Sequence, residues 1–212
     1  MNVSESMTRN PVTCSPDINI YQAIEVMERE GVHRLPVIED GCLVGVVSEK
    51  DIMKASPAGS ENVSIHKMAY LLSKLVVRDV MSTELVTVSP DATVEEATRI
   101  MVDNEVSCLP IVQDSHLLGI ITKSDMYRLL LEIFGARHYG VRAYFIVKDK
   151  PGIIAEITSA LAQKNVDIVS LGSLKSRDGE GSVTMKVQGI EPKELSDILS
   201  PMVVKIIDIR ET

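Results

Sequence analysis

The residue types with the clearest chemical potential occur in two matching segments of the sequence. In each segment a hydroxyl side chain is followed three residues later by an aspartate: Ser48 by Asp51, and Thr122 by Asp125. A hydroxyl residue at a helix start leaves backbone N–H groups and a positive dipole end facing outward, which favours a phosphate group. The aspartate offers two acceptor oxygens that suit the vicinal hydroxyls of a ribose. Because two anions in contact repel, we expect the aspartate to face the sugar.

The same spacing also has a purely structural interpretation. Ser/Thr-x-x-Asp is a capping box, which contributes about 1 kcal/mol to helix stability and needs no ligand. A glycine precedes each hydroxyl by three residues, at Gly45 and Gly119. Glycine lets a ligand or a neighbouring backbone come close. Because the three residue types recur in the same order, the sequence favours a ligand site, and it leaves open that one of the two sites is empty.

Both segments belong to an internal duplication. With Met7 placed over Met81, the chain matches itself without gaps from Val3 to Ala55. We call this stretch the first repeat and its match, residues 77–129, the second repeat. A duplicated unit of this length, present twice, predicts a pseudo-symmetric pair of domains and not a long array.

Each repeat predicts the order β-α-β-β-α. A short strand (11–15 or 85–89) precedes a helix with a capping box, at Asn19 with Gln22 and at Thr93 with Glu96. Two apolar strands joined by a short turn follow as a hairpin, and a second helix starts at Ser48 or Thr122. The apolar faces of the first helices are formed by Ile20, Ala23, Ile24 and Met27, and by Val94, Ala97 and Met101.

The rest of the chain predicts a linker, an amphipathic helix and a further domain. Apolar residues at helical spacing indicate a helix from Ser64 within the connection 57–76. After a second linker, 135–140, the pattern from Val141 onward predicts βαββαβ, the ferredoxin-like order. The predicted fold class is therefore α+β. The predicted domain bounds are 1–56, 57–76 (linker and helix), 77–134, 135–140 (linker) and 141–212.

Composition excludes several classes of function. The formal net charge is −8 and basic residues do not cluster, which disfavours nucleic acid and anionic membranes as partners. The N-terminus does not resemble a signal peptide and no apolar run reaches membrane-spanning length, so we expect a cytoplasmic protein. Cys14, Cys42 and Cys108 form no CxxC pair, and the four histidines lack ligand spacing, so we expect no metal site.

The repeats resemble CBS domains. They carry the signature Gly-hydrophobic-x-Ser/Thr-x-x-Asp at Gly45–Asp51 and Gly119–Asp125, each preceded by a Leu-Pro-Val/Ile strand. The segment from Val141 is similar to an ACT domain, with an Asp-x-Pro-Gly turn at Asp149–Gly152 and an Asn-Val-Asp-Ile strand start at Asn165. The whole chain resembles the CBS–ACT proteins known as acetoin utilisation proteins.

This resemblance implies a regulatory adenosine ligand (AMP, ADP, ATP or S-adenosylmethionine) in clefts between the repeats. The aspartates would hold ribose and the hydroxyls phosphate. The other implied contacts are Thr13 and Thr87 lining the clefts, and Val37 and Ile111 flanking adenine.

Two cations distinguish the first and second clefts. Arg34 could neutralise phosphate bidentately in the first, whereas the nearest cation by sequence in the second is Lys123. We therefore expect the first cleft to prefer the more highly phosphorylated ligand. The alternative for Arg34 is a solvated surface charge.

The ACT resemblance implies a small effector, often an amino acid, at the strand–helix turn. Gly152 would allow close approach, the N–H groups of Ile153 and Ile154 would receive a carboxylate, and Asp149 would take an ammonium group. The residues expected to border the same region are Asn165 and Asp167. The alternative is that Pro-Gly is a plain turn and Asn165 a helix end, and that the domain serves only for dimerisation.

Three classes of function remain after these exclusions. The first is a ligand-sensing regulatory protein, with homodimerisation expected because CBS pairs and ACT sheets both tend to associate. The second is a ligand-free assembly module that regulates a partner enzyme. The third, an enzyme, is disfavoured, because no nucleophile–base pair, metal set or P-loop is visible in the sequence.

Overall fold

The computed structural model describes residues 1–55, 74–175 and 178–212. The chain divides into two compact units, Met1–Met126 and Tyr127–Thr212. The linker and helix predicted between the repeats fall largely on residues 56–73, outside the described residues.

The first unit contains the first repeat and all but the last three residues of the second repeat. Each repeat has a helix, a β-hairpin and a second helix. In the first repeat these elements are helix Ile20–Glu30, strands β2 (Arg34–Glu39) and β3 (Cys42–Ser48), and helix Glu49–Ala55. In the second repeat they are helix Val94–Asp103, strands β4 (Cys108–Gln113) and β5 (His116–Thr122), and helix Lys123–Ile133. Each hairpin pairs antiparallel, as predicted.

The capping box predicted at Asn19 is formed, whereas only the Thr93 half of the box predicted at Thr93 and Glu96 is present. The Asn19 side chain accepts a hydrogen bond from the Tyr21 N–H, and Gln22 accepts one from the Asn19 N–H at 3.0 Å, which completes a capping box. The Thr93 hydroxyl accepts from the Glu96 N–H at 3.1 Å. The first of these helices ends at Gly31, whose φ of 64° lies in the left-handed region that glycine adopts without strain.

The prediction of a first strand in each repeat, at 11–15 and 85–89, is wrong. Each segment makes only an isolated parallel bridge, Cys14 to Val37 and Val88 to Ile111. The short β1, Thr8–Arg9, lies earlier in the chain and pairs with β5 of the other repeat.

The core of each repeat is completed by the leading segment of the other repeat. Val3, in the N-terminal helix Val3–Ser6, is fully buried in the core of the second repeat. Val77, in helix Val77–Val80, is fully buried in the core of the first repeat. Backbone hydrogen bonds fix both exchanges, from Val3 N–H to the Ala92 carbonyl at 2.8 Å and from Val77 N–H to the Ile18 carbonyl at 2.9 Å.

The second unit has the predicted βαββαβ order. Its elements are β6 (Val141–Lys148), helix Ile153–Ala162, β7 (Asp167–Lys175), β8 (Glu180–Gln188), helix Pro192–Leu199 and β9 (Lys205–Glu211). The strands form an antiparallel sheet in the order β7-β8-β6-β9. Alternating residues of β6 and β8, such as Phe145 and Met185, are buried in a core with Ile157 and Leu195 of the two helices.

The glycines of the two signatures make the exchange possible. A Cβ built on Gly45 would lie 2.5 Å from the Sδ of Met81, and one built on Gly119 would meet both the Sδ of Met7 and, at 2.9 Å, the carbonyl oxygen of Thr8. At Gly45 the neighbour is a flexible side chain, whereas at Gly119 it includes backbone.

We therefore expect Gly119→Ala to lower the free energy of unfolding by about 1 to 3 kcal/mol, as is typical of overpacking. Gly45→Ala should lower it by less. Urea unfolding monitored by circular dichroism measures this difference. Adding Met81→Ala should restore Gly45→Ala, while adding Met7→Ala should leave Gly119→Ala impaired because the carbonyl of Thr8 remains. Equal rescue of both variants would contradict the explanation.

Candidate functional site

The hydroxyl and aspartate of each signature form a reciprocal cap. Ser48 donates from its backbone N–H (3.0 Å) and its Oγ (2.5 Å) to Oδ2 of Asp51, and the Asp51 N–H donates to the Ser48 Oγ at 3.3 Å. Thr122 and Asp125 repeat this pattern at 2.8, 2.7 and 3.3 Å. The structural interpretation of the motif is thus realised in both repeats.

The cap of the first repeat also lines a cleft, which we call the first cleft. Its volume is about 190 Å³, and it brings Ser48 and Asp51 together with residues of the second repeat. The other lining residues are Arg34, Val46, Ser82, Glu84, Leu85, Val86, Glu105, Val106, Ser107, Cys108 and Pro110. An apolar wall with polar groups at its edges suits a base and a sugar.

The exchanged segment positions the far wall of this cleft. Val46 and Ser82 exchange two backbone hydrogen bonds, at 3.0 and 2.9 Å, so the chain from Ser82 to Val86 runs past the signature of the first repeat. Across the cleft, Nη1 of Arg34 donates to Oγ of Ser107 at 2.5 Å. The first cleft is therefore built from both repeats.

The second repeat has the equivalent arrangement. Thr8 pairs with Ile120 in β5, which corresponds in the repeat alignment to the pairing of Ser82 with Val46. The exchanged N-terminal segment thus lies beside the strand that leads to Thr122 and Asp125. From the correspondence of the repeats we expect a matching cleft here, which we call the second cleft.

Some of the residues predicted to contact the ligand lie together in the first cleft, and others do not. Arg34, Ser48 and Asp51 share the first cleft. Val37 and Ile111 are fully buried in the cores of the repeats, so their side chains do not line it.

The remaining predicted cleft residues have other surroundings. Thr13 is exposed, and Thr87 lines a separate depression with Ser89 and Glu96. Lys123 is partly buried at the start of its helix, and its backbone N–H donates to the carbonyl of Ser107 at 3.1 Å.

The residues that sequence reasoning missed are the far wall, Ser82–Val86 and Glu105–Cys108. The sequence contains a signal for this wall. The repeat alignment places a hydroxyl residue at both Thr8 and Ser82, and these two residues pair with the strands that carry the signatures.

A second cavity lies in the second unit at the turn before helix Ile153–Ala162. It measures about 440 Å³ and contains four of the predicted effector residues, Asp149, Gly152, Ile153 and Ile154. Val147, Leu174 and Val183 are among the residues that make it partly apolar.

The prediction that Asn165 and Asp167 border this cavity is corrected by the sheet register. Asp167 pairs with Gln188 at one end of β7, while Lys175 pairs with Gly181 at the cavity end. Asn165 has a φ of 55° just after its helix, as expected for a helix end.

Charged groups and an uncapped helix end surround the cavity. Gly152 occupies the N-cap position with a φ of 90°, and no side chain caps the helix. Nζ of Lys175 lies 3.6 Å from Asp149, and Lys150 pairs with Glu156 at 3.0 Å. A zwitterionic ligand would find both signs of charge here.

The described residues contain no cluster of three or more His, Cys, Asp or Glu side chains suited to a metal ion. Within the same ranges, no helix has the length and hydropathy needed to cross a membrane. The three cysteines are free, and burial raises the pKa of the Cys14 thiol to about 11, which makes it unreactive at neutral pH.

Comparison with known proteins agrees with this architecture. The CBS domain model matches residues 3–58 and 77–132, which together exceed half of the chain, and the ACT domain model matches residues 141–198. The chain belongs to the CBS domain family and carries a C-terminal ACT domain. Both resemblances seen in the sequence are therefore confirmed.

Individual relatives share the CBS part of this CBS–ACT protein. The CBS domain-containing protein YhcV of Bacillus subtilis is 31% identical over 125 residues, covering 59% of this chain and 82% of YhcV. The structure of AcuB from Vibrio cholerae, described as an acetoin utilization protein, superposes with a TM-score of 0.54 at 27% identity, over 65% of this chain and 95% of AcuB. CBSX2, solved in complex with AMP, gives a TM-score of 0.53 at 31% identity, over 62% and 97% of the two chains.

The reciprocal cap predicts a ligand-independent effect on stability. Asp51→Ala should lower the unfolding free energy of the ligand-free protein by about 1 kcal/mol, because two donors of Ser48 lose their acceptor. Asp51→Asn keeps a carbonyl oxygen at the same place and should be milder. Thermal unfolding without added ligand tests this, and equal loss in both variants would contradict the capping role.

Proposed function

We propose that this CBS–ACT protein is a regulatory sensor that binds an adenosine compound in the clefts between its CBS repeats. The observation that carries the proposal is the first cleft itself, where Ser48 and Asp51 of one repeat face the apolar wall Leu85–Val86 of the other. The AMP complex of CBSX2, at 31% identity, supports the same class of ligand.

The cap geometry leaves a suitable acceptor for a ribose. Both hydrogen bonds that Asp51 accepts from Ser48 end on Oδ2, and Oδ1 has no partner among the described residues. A ribose hydroxyl donating to Oδ1 would leave the cap intact. Ser48 and Arg34 also line the cleft and would accommodate a phosphate, while the apolar side chains of Val86 and Val106 suit the faces of adenine.

Ligand binding should be visible as a gain in stability. A ligand that binds only the folded state raises the unfolding free energy by about 2.7 kcal/mol when its free concentration is about 100 times its Kd. We expect AMP, ADP, ATP or S-adenosylmethionine to produce such a shift in a thermal unfolding assay.

The control uses variants in which each aspartate is changed separately. Asp51→Ala and Asp125→Ala should each weaken the ligand-dependent shift relative to their own ligand-free baselines, while Asp91→Ala, outside the first cleft, should not. No shift with any of the four compounds would favour a ligand-free assembly module.

For the ACT domain we propose a small amino-acid-like effector. The N–H of Ile153 already donates to the carbonyl of Lys150 at 3.3 Å, so the carboxylate of the effector would approach the N–H of Ile154 in the first turn of helix Ile153–Ala162. Its ammonium group would pair with Asp149. The apolar residues Val147 and Val183 would contact a hydrophobic side chain. The cavity volume of about 440 Å³ supports a ligand of this size.

Gly152→Ala tests the effector site. The φ of 90° strains an alanine by about 1 kcal/mol, and the added methyl group would also stand where the carboxylate approaches. Isothermal titration with a panel of amino acids should show binding to the wild type and loss in this variant. The matched control is Gly189→Ala, which has a φ of 80° and lies outside the cavity, and should keep the affinity. An equal loss of effector affinity in both variants would show that backbone strain, and not a blocked carboxylate position, causes the loss.

Homodimerisation and a cytoplasmic location complete the proposal. Tyr127, Leu130, Leu131 and Phe134 recur at helical spacing and are each at least 40% exposed, which favours association. The same observation favours the second candidate, an assembly module acting on a partner enzyme. We propose no catalytic activity for the chain itself, since its matched domains are CBS and ACT modules.

A further inference from the structure

The charged residues that line the first cleft are mostly acidic. Asp51, Glu84 and Glu105 contribute three carboxylates, and Arg34 is the one basic side chain among the described residues that line it. Nη1 of Arg34 is already held by Ser107 at 2.5 Å. A phosphate in this cleft therefore meets more negative than positive charge.

The repeat alignment shows that two of these carboxylates are particular to the first cleft. Glu84 aligns with Asn10 and Glu105 with Gly31 of the other copy. Since Thr8 pairs with Ile120 as Ser82 pairs with Val46, Asn10 and Gly31 belong to the corresponding wall of the second cleft.

Glu105 occupies a backbone position that does not favour its residue type. Its φ is 55°, in the left-handed region, where the aligned Gly31 has a φ of 64°. A non-glycine residue in this region carries a conformational cost that glycine avoids. A glutamate at such a position, at the edge of a cleft, points to a role for its carboxylate.

We infer that Glu84 and Glu105 determine the ligand selectivity of the first cleft. Each added phosphate on an adenosine ligand is repelled by both carboxylates, so this cleft selects adenosine compounds with few or no phosphates. ATP is directed to the second cleft, where the aligned residues are neutral. This reverses the order expected from Arg34 alone, and it rests on the proposed function because it concerns the same cleft.

The experiment replaces Glu84 and Glu105 of the second repeat by the residue types aligned with them in the first repeat, those of Asn10 and Gly31. In an Asp125→Ala background, which leaves the first cleft as the intact site, adenosine, AMP, ADP and ATP are titrated calorimetrically into three proteins. The first keeps Glu84 and Glu105, the second carries Glu84→Asn and Glu105→Gly, and the third is the charge-matched control Glu25→Gln and Glu28→Gln, on the exposed face of helix Ile20–Glu30.

We expect affinity to fall from AMP to ATP with both glutamates present. The variant with Glu84→Asn and Glu105→Gly should raise the affinity for ATP relative to AMP by about three- to tenfold at low ionic strength, and less at physiological salt, where charges are screened. The control should keep the original ratio, because its altered charges lie outside the cleft. The isosteric pair Glu84→Gln and Glu105→Gln should reproduce the effect without the change in backbone preference.

Two results would overturn the inference in different ways. If AMP binds and the ratio of ATP to AMP affinity is the same in all variants, the glutamates do not set selectivity, while the proposed function stands. If none of the four ligands binds the parent protein with both aspartates intact, the proposed function fails and the inference fails with it.

Discussion

The exchange of short segments between the two repeats is the constraint on which the first unit depends. Neither repeat buries its own leading segment, because Val3 lies in the core of the second repeat and Val77 in the core of the first. The signature glycines permit this exchange by leaving room for Met81 and Met7. One wall of the first cleft is the exchanged chain Ser82–Val86, so the site exists only when both repeats are folded together.

On the proposed function, this arrangement lets a single motif cap a helix and contact a ligand. The hydrogen bonds between Ser48 and Asp51 stabilise the start of a helix whether or not a ligand is present. The second oxygen of Asp51 and the opposite wall turn the same cap into one side of a cleft. A ligand contacting both walls would bind only the state in which the exchange is complete, and a regulatory module requires such a difference in affinity between states.

The sequence predicts the elements more successfully than the positions of side chains in the clefts. Hydrophobic periodicity and caps locate the helices after Asn19 and Thr93, and the duplication locates both signatures. Residues 11–15 do not form a strand because only Cys14 makes a parallel bridge. Apolar alternation does not show how many residues of a neighbouring strand are available for pairing.

Contact between distant segments is what single-sequence reasoning could not supply. The side chain of Val37, which the CBS resemblance places beside adenine, is instead fully buried in the core of the first repeat. The ACT resemblance places Asp167 near Asp149, but the nine-residue strand β7 separates its end of the sheet from the cavity. In both cases the register of a strand decides which side chains meet, and register follows from pairing partners that lie elsewhere in the chain.

Comparing the two repeats with each other separates folding constraints from ligand constraints. Aligned core positions remain apolar in both copies, either with the same residue, as at Met27 and Met101, or with another apolar residue, as at Val37 and Ile111. A difference in charge is found at the wall of the first cleft, where Glu105 aligns with Gly31. A left-handed glutamate is less favourable for the fold than glycine, so packing does not explain it. On the proposed function, the explanation that remains is the charge of the cleft: the two aligned positions would present different charges to a bound ligand.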